Sequence, residues 1–430
     1  MQAGDTIMAL SSGALPAGVA VIRLSGPRVR EALGTIAGGV PRPRHLTLRK
    51  IGAGQMLDQG LVAYFPAPHS FTGEDCAELQ VHGSPAGVKG ILAELGALGL
   101  RLAEAGEFTR RAFENGKLDL VEIEGLGDLR NAETEKQRQQ ALARFDGRLT
   151  EKIVQWRESL LDLRAEIEAR LDFSDEGDVS EDLPHHWQNQ LGALESAIQT
   201  SLASLESGRI VREGIRVALA GAPNAGKSSL INALAKSDIA IVSDEAGTTR
   251  DVREVPLNIN GQLFILLDLA GLRESDSKAE AEGVRRAQRA IETADIVLWL
   301  TAPDVTDIAP PAIAGEVLRI GTKSDLGLLP GVDVSISTQT PGDLIELRHR
   351  LDALAVGMTG AEPSLVSHER DRLALSGALA ALEETRRNLG DWELAAESLR
   401  RASAALERLI GRIDAEKVLD RLFSSFCIGK

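Results

Sequence analysis

The eight residues Gly221-Ala222-Pro223-Asn224-Ala225-Gly226-Lys227-Ser228 fit the pattern G-x-x-x-x-G-K-[ST]. Glycines in such a loop let successive backbone N–H groups wrap one anion, and the start of a helix behind them adds partial positive charge. Lys227 is then placed to neutralise the β- and γ-phosphates of a nucleoside triphosphate, and the Ser228 hydroxyl to ligate Mg²⁺. Asn224, Ala225, Gly226 and Ser229 are the other candidate nucleotide contacts of this loop. The context is right: the apolar run Ile215–Ala220 precedes it and a helical stretch, Ser228–Leu234, follows.

Phosphate binding leaves the base open. Thr322-Lys323-Ser324-Asp325 follows the strand-like run Val317–Ile320 and resembles the guanine-reading pattern N-K-x-D. The aspartate of that pattern accepts hydrogen bonds from the N1 and N2 hydrogens of guanine; adenine offers no such donor pair, so Asp325 carries the assignment to GTP. Thr322 stands where asparagine is usual, and its shorter hydroxyl is expected to keep only part of the loop-bracing role and to weaken affinity. Ser337-Thr338-Gln339, after an expected strand at Val332–Ile336, occupies the place of the loop that backs the base, in degenerate form.

Two further segments bear on the metal and the γ-phosphate. Asp268-Leu269-Ala270-Gly271 closes a β-type run as a D-x-x-G switch does, with Asp268 toward the outer shell of the metal and the Gly271 N–H toward the γ-phosphate. Ser243, Asp244, Glu245 and Ala246 lead into Gly247-Thr248-Thr249-Arg250-Asp251, from which Thr249 is chosen to complete the Mg²⁺ shell. Taken alone, that polar loop reads equally well as a solvated connection. The glutamine that orients the attacking water in Ras-like enzymes is replaced by Leu272, which cannot hold water. Glu280, in the acidic stretch Glu274–Glu282, is the candidate replacement; an exposed helix-face carboxylate is the competing reading. The Asn224 amide could help bind a monovalent cation between the phosphates in place of an arginine finger, or simply brace its own loop.

These loops need a sheet to hold them. Val255–Ile259 and Gln262–Leu267 flank Asn260-Gly261, the dipeptide suited to a type I′ hairpin, which predicts one antiparallel pair beside an otherwise parallel sheet. Ile296–Thr301 supplies another buried strand, and ligands of open α/β sheets bind at the carboxyl ends of the strands. On either side of this insert the spacing is helical: Ile153, Trp156, Leu160, Leu163, Ile167 and Leu171; then Leu191, Leu194, Ile198, Leu202 and Leu205; then Leu399, Ala402, Leu406, Leu409 and Ile413. Nearer the N-terminus, short β-type runs at Gly18–Leu24, His45–Ile51, Gly60–Phe65 and Cys76–Val81, with a helix near Ala86–Leu98, predict a compact α+β domain. The expected division is 1–118 for that domain, 119–211 with 361–430 for a discontinuous helical domain, and 212–360 for an inserted Ras-like P-loop G domain.

Composition sets the outer limits. At 430 residues, with 43% hydrophobic and 26% charged residues, the chain is multidomain and globular. A formal charge of −15 argues against broad adhesion to nucleic acid, so RNA contact requires a local basic patch. The two cysteines, Cys76 and Cys427, form no metal-ligand motif or disulfide framework, which suits a reducing cytosol. With no basic-then-apolar leader and no run of about eighteen apolar residues, a cytoplasmic protein without membrane spans is expected.

The three regions together resemble the MnmE (TrmE) family of tRNA modification GTPases. The likeness is carried by Asp5-Thr6-Ile7, Val21-Ile22-Arg23-Leu24-Ser25-Gly26, Ser70-Phe71-Thr72-Gly73-Glu74-Asp75, Gly106-Glu107-Phe108-Thr109-Arg110-Arg111 and the terminal Phe426-Cys427-Ile428-Gly429-Lys430. The resemblance implies a homodimer whose N-terminal domains bind a 5-formyltetrahydrofolate-type one-carbon donor, with Arg23, Glu78, Lys117 and Lys430 as folate contacts. It implies a K⁺ site at Asn224, Ser243, Glu245 and Thr248, K⁺-promoted pairing of G domains, and a catalytic role for Glu280. It also implies action with MnmG, an FAD-dependent partner, in adding an aminomethyl or carboxymethylaminomethyl group at C5 of the wobble uridine of certain tRNAs. Thr322, Leu269, Thr338-Gln339 and the altered turn Ser11–Ala17 depart from the family pattern. A ribosome-assembly GTPase is the alternative; it would share the P-loop but would be expected to carry a basic RNA-binding domain.

Overall fold

The computed structural model describes residues 4–172, 183–237, 239–241, 253–268, 288–306, 308–310, 315–340, 342–360 and 362–413, with the single positions 419, 423 and 429. The chain divides into two compact units, Met1–Gly127 with Ala404–Lys430, and Asp128–Ser403.

The first unit is built on β1 (Ile7–Leu10), β2 (Ala17–Ser25), α1 (Val29–Ile36), β3 (Thr47–Ile51), β4 (Asp58–Phe65), β5 (Cys76–Gly83), α2 (Pro85–Ala97), β6 (Arg101–Leu102) and α3 (Glu107–Glu114), followed by α4, which begins at Leu120. Its six strands lie in the order β3-β4-β5-β2-β1-β6, with only the short β1–β6 pair parallel among the described strands. Side chains alternate across the pleat. Ile22, Leu24, Val62, Tyr64, Ala77, Leu79 and Ile51 face a core shared with Leu33 and Ile36 of α1 and Val88, Ile91 and Leu95 of α2. Their neighbours Arg23, Glu78, Leu61 and Leu48 therefore point to the opposite face. Near the end of this unit Leu120 and Ile123 pack with Leu419 and Phe423.

The second unit begins with α5 (Glu135–Phe145), α6 (Arg148–Asp172), α7 (His185–Ala203) and α8 (Leu205–Glu213). Most of the expected apolar stripes are buried, with Ile153, Trp156, Leu160, Leu163 and Ile167 on α6 and Leu191, Leu194 and Ile198 on α7, while Leu171 and Leu202 are half-buried. One expectation is corrected. The stripe ending at Leu205 does not lie on one helix, because the chain breaks at Ser204 and Leu205 opens α8.

Next come β7 (Ile215–Gly221), α9 (Lys227–Ala235), β8 (Arg253–Ile259), β9 (Gln262–Asp268), β10 (Ile296–Thr301), β11 (Glu316–Gly321), β12 (Val334–Ser335) and α10 (Asp343–Thr359). The strand order is β12-β11-β10-β7-β9-β8. Among the named strands every described pairing is parallel except β8 with β9, the predicted hairpin, and Ala240 adds an isolated antiparallel bridge to Leu257 of β8. Asn260 and Gly261 take φ of 49° and 81°, the positive values a type I′ turn demands. Val255, Leu257, Leu266, Leu298 and Leu300 share one core with Leu230, Ile231 and Leu234 of α9 and Leu347, Leu351 and Ala355 of α10. The strand expected over Val332–Ile336 is shorter, because only Val334 and Ser335 pair with β11.

Two further helices follow: α11 (Glu369–Arg387), within this unit, and α12 (Trp392–Leu409), which runs past the unit's last residue, Ser403, and ends before Ile413 because Gly411 takes a φ of 80°. The result is a multidomain α/β protein with an N-terminal α+β domain, helices, and a Ras-like G-domain sheet. Among the described residues no helix is long and apolar enough to cross a membrane.

Candidate functional site

The phosphate loop begins where β7 ends. A Cβ on Gly221 would lie 2.1 Å from the Leu300 carbonyl oxygen of β10, so only glycine lets the chain turn here. Asn224 takes a φ of 65°, a left-handed conformation that asparagine tolerates, and Gly226, at 87°, caps α9. The Lys227 ammonium reaches back over the loop, donating to the carbonyls of Gly221 at 2.9 Å and Ala222 at 2.7 Å. Ser228 and Ser229 occupy the first turn of α9. A hydroxyl there is the hard oxygen donor that Mg²⁺ takes alongside phosphate oxygens, so the residues present fit the ion.

The base-reading segment lies at the carboxyl end of β11. The buried Thr322 hydroxyl donates toward the Ala225 carbonyl at 2.8 Å and lies 3.1 Å from the Thr301 carbonyl, joining this segment to the phosphate loop. Lys323 takes a φ of 54° and pairs with Asp304 at 2.6 Å, which holds the Asp304 carboxyl below its ordinary value. Ser324 N–H donates to the Ile336 carbonyl at 3.2 Å. Asp325 is exposed. Ser337 is buried, and its hydroxyl accepts from Gln339 N–H at 3.3 Å. Thr338 stands between them.

Asp268 closes β9, which runs parallel to β7 with Leu267 opposite Ala218, so Asp268 and Gly221 leave the sheet at the same edge. Ser243, Asp244, Glu245, Ala246, Gly247, Thr248 and Thr249 lie outside the described residues, as do Leu269, Ala270, Gly271, Leu272, Glu280, Cys427 and Lys430. Motif reading missed Asp304 and Asp343. Asp343 sits at the first position of α10 and accepts from Ser337 N–H at 2.8 Å and from the Ser324 hydroxyl at 3.3 Å. An acid opening a helix reads from sequence as a complement to the helix dipole, and the spacing to Ser324 and Ser337 carries no pattern.

The first unit holds a second candidate site. A cavity of about 300 Å³ is lined by Arg23, Phe65, Phe71, Cys76, Glu78 and Leu126. Register places Arg23 of β2 opposite Glu78 of β5, and the two pair at 2.9 Å. The Arg23 guanidinium also lies 5.7 Å from the Phe71 ring and donates to the Gly429 carbonyl at 3.4 Å. Lys117 packs against the loop that carries Phe71, since a Cβ on Gly73 would lie 3.1 Å from its Cε. A small, largely apolar cavity with a guanidinium and a carboxylate at one wall suits a flat heterocycle with ring nitrogens. Cys76 is buried, with Sγ 3.1 Å from the Thr72 hydroxyl.

Residues 120–427 match the family model described as the MnmE helical domain, and residues 6–117 match the one described as the GTP-binding protein TrmE N-terminus. The chain belongs to the MnmE (TrmE) family. The tRNA modification GTPase MnmE of Azorhizobium caulinodans is 49% identical over 436 residues, covering 100% of both chains. Those of Rhizobium meliloti and Brucella canis are 48% and 47% identical, the former covering 100% of both chains and the latter 99% of this chain and 98% of its own. The Arg23–Glu78 pair and its aromatic neighbours Phe65 and Phe71 thus fall in the TrmE N-terminal match, while Leu126 of the cavity wall and the nucleotide loops fall in the longer MnmE match.

Proposed function

We propose that this chain is a cytoplasmic protein that acts, as the names of its MnmE relatives state for them, as a tRNA modification GTPase. The observation that carries the reading is the bond between Thr322 and Ala225, which joins a phosphate loop to a guanine-type reader in a sheet of Ras-like order. In this reading residues 1–118 form the one-carbon domain, 119–211 with 361–430 the helical domain, and 212–360 the G domain.

Backbone N–H groups of the 221–228 loop and the Lys227 ammonium hold the β- and γ-phosphates, and Asp325 accepts from guanine. Mg²⁺, held by Ser228 and Thr249, supplies charge neutralisation between the β- and γ-phosphates when bound. Asn224, with Ser243, Glu245 and Thr248, would hold K⁺, which when bound would supply the positive charge that an arginine finger gives other GTPases. Glu280 aligns the attacking water in the place that Leu272 leaves vacant.

A 5-formyltetrahydrofolate-type donor supplies the one-carbon unit when bound. Arg23, Glu78, Lys117 and Lys430 would hold its polar groups, and Phe71 lines the cavity beside Arg23. The chain works as a homodimer. On the sheet face opposite the α1 and α2 core, Leu48 and Leu61 of β3 and β4 stand 60% and 37% exposed, and a second copy is the occupant this reading gives them. With the FAD-dependent MnmG, the dimer installs the aminomethyl or carboxymethylaminomethyl group at C5 of wobble uridine. The aromatic-lined Arg23 cavity favours this reading over a ribosome-assembly GTPase.

The test is GTP turnover by the full chain in KCl against NaCl, with Glu280→Ala and Asn224→Ala alongside. Faster turnover in KCl, lost in Asn224→Ala, and a slow Glu280→Ala enzyme are expected. Equal rates in the two salts would remove the potassium role, and undiminished turnover by Glu280→Ala would remove that of the glutamate.

A further inference from the structure

We propose that Asp343 is the positioning residue that fixes the spacing between the two base-reading loops and thereby sets affinity for guanine nucleotides. The proposal rests on the reading of residues 322–325 as the guanine reader.

One carboxylate oxygen, Asp343 Oδ2, accepts from both loops: from Ser337 N–H at 2.8 Å and from the Ser324 hydroxyl at 3.3 Å. Ser324 immediately precedes Asp325, and Ser337 opens the base-backing loop, so this single atom stands between the residue that reads guanine and the loop that backs it. A backbone tie, Ser324 N–H to the Ile336 carbonyl at 3.2 Å, runs beside it. The Ser337 N–H bond has the length of a charge-assisted one, a class about twice as strong as neutral bonds, while the longer Ser324 hydroxyl contact acts together with the Ser324 backbone tie.

The carboxylate is itself firmly held. Asp343 is on α10, whose Leu347, Leu351 and Ala355 are buried in the G-domain core, and α10's N-terminal dipole favours a negative charge there. Thr322 and Lys323 have their own ties, to Ala225 and Asp304. Among the described residues Asp325 shows no such tie: its side chain is exposed, and its direction is inherited from the Ser324 backbone beside it. A reader aimed through its neighbour needs that neighbour fixed. Asp343 is the side chain that fixes it from α10.

The experiment compares the full-length wild type with Asp343→Ala and Asp343→Asn, measuring fluorescent GDP binding, the KM and kcat of GTP hydrolysis, and the unfolding midpoint without nucleotide. Asparagine keeps an acceptor oxygen where alanine has none. Expected for Asp343→Ala is about a tenfold loss in GDP affinity and a matching rise in KM, with kcat at saturation unchanged; one lost charged hydrogen bond gives an effect of this order. Asp343→Asn should recover to within about threefold of wild type, and the unfolding midpoints of the two variants should agree. Wild-type affinity in Asp343→Ala overturns the proposal. So does an equal loss in both variants, or a loss that tracks a lowered unfolding midpoint.

Asp325→Asn, assayed with GTP and xanthosine triphosphate, separates this from the reading beneath it. An amide at that position donates to the xanthine 2-oxo group, so a switch in preference toward xanthosine triphosphate upholds the guanine reader whatever Asp343 does. An unchanged preference would overturn the reader, and with it the role given to Asp343.

Discussion

The Thr322 hydroxyl lies 2.8 Å from the Ala225 carbonyl and 3.1 Å from the Thr301 carbonyl, with a single proton to offer both. An asparagine amide carries two. Thr322→Val removes the proton at nearly constant volume and leaves a buried carbonyl short of its donor. GDP affinity should fall about tenfold. Thr322→Asn, with a donor for each carbonyl, should bind more tightly than wild type. Equilibrium titration with a fluorescent nucleotide checks both, and a Thr322→Val protein that binds like wild type would show the bridge to be idle.

The Arg144 guanidinium and the Asp371 carboxylate pair at 2.8 Å with both side chains fully buried, and Asp371 also accepts from the backbone of Ser367 and His368. Burial alone would raise the Asp371 carboxyl; the charge of Arg144 and these hydrogen bonds outweigh it and hold the group below its ordinary range. A carboxyl lowered in the folded state contributes stability that is present above its unfolded value, about 3.9, and lost as pH falls through the folded one. Asp371→Asn should cost about 3–5 kcal/mol at neutral pH, because it leaves Arg144 charged and buried. It should also flatten the loss of stability below about pH 4. Urea unfolding as a function of pH measures both.

Gly261, at the tip of the β8–β9 hairpin, accepts from Lys136 N–H at 3.0 Å, so the hairpin that ends at Asp268 is seated on α5. A Cβ at this position would come within 3.3 Å of Glu135 Cβ, on a backbone with φ of 81°. Gly261→Ala should destabilise by about 1–2 kcal/mol from the left-handed backbone. Nucleotide affinity should hold, since the turn is at the far end of the strand from Asp268. Denaturant midpoints together with GDP titration test this.

In the first unit, Glu78→Gln keeps the shape of the cavity wall but removes the charge facing Arg23, while Arg23→Ala removes the cation and its stacking on Phe71. Calorimetry with 5-formyltetrahydrofolate should show binding abolished in Arg23→Ala and weakened about tenfold or more in Glu78→Gln, as expected when one charged hydrogen bond is lost. GTP turnover by either variant should be unaffected in the absence of tRNA.

Much of this was legible in the sequence because local chemistry dictated it. Asn260-Gly261 specifies a hairpin by its dihedral angles, and the glycines of the 221–228 loop are forced by positive φ and by the approach of Leu300. What escaped was decided by tertiary context. β1 lies between β2 and β6 and is buried along Ile7, Met8 and Ala9, so it shows no alternation. α1 carries a good stripe at Val29, Ala32, Leu33 and Ile36, but no side-chain cap announces its start. The break at Ser204 leaves the apolar spacing intact, so periodicity runs straight across it. Asp343 escaped for the same reason: its partners are close in space and unpatterned in sequence.

The most direct test of the central claim is nucleoside mass spectrometry of tRNA from a bacterial strain lacking its own MnmE-family gene, supplied with this chain or with its Lys227→Ala variant. The account predicts that the wild-type chain restores C5-modified wobble uridine and that the variant, unable to neutralise the triphosphate, does not. Absence of the modified nucleoside with the wild-type chain, or equal restoration by Lys227→Ala, would contradict it.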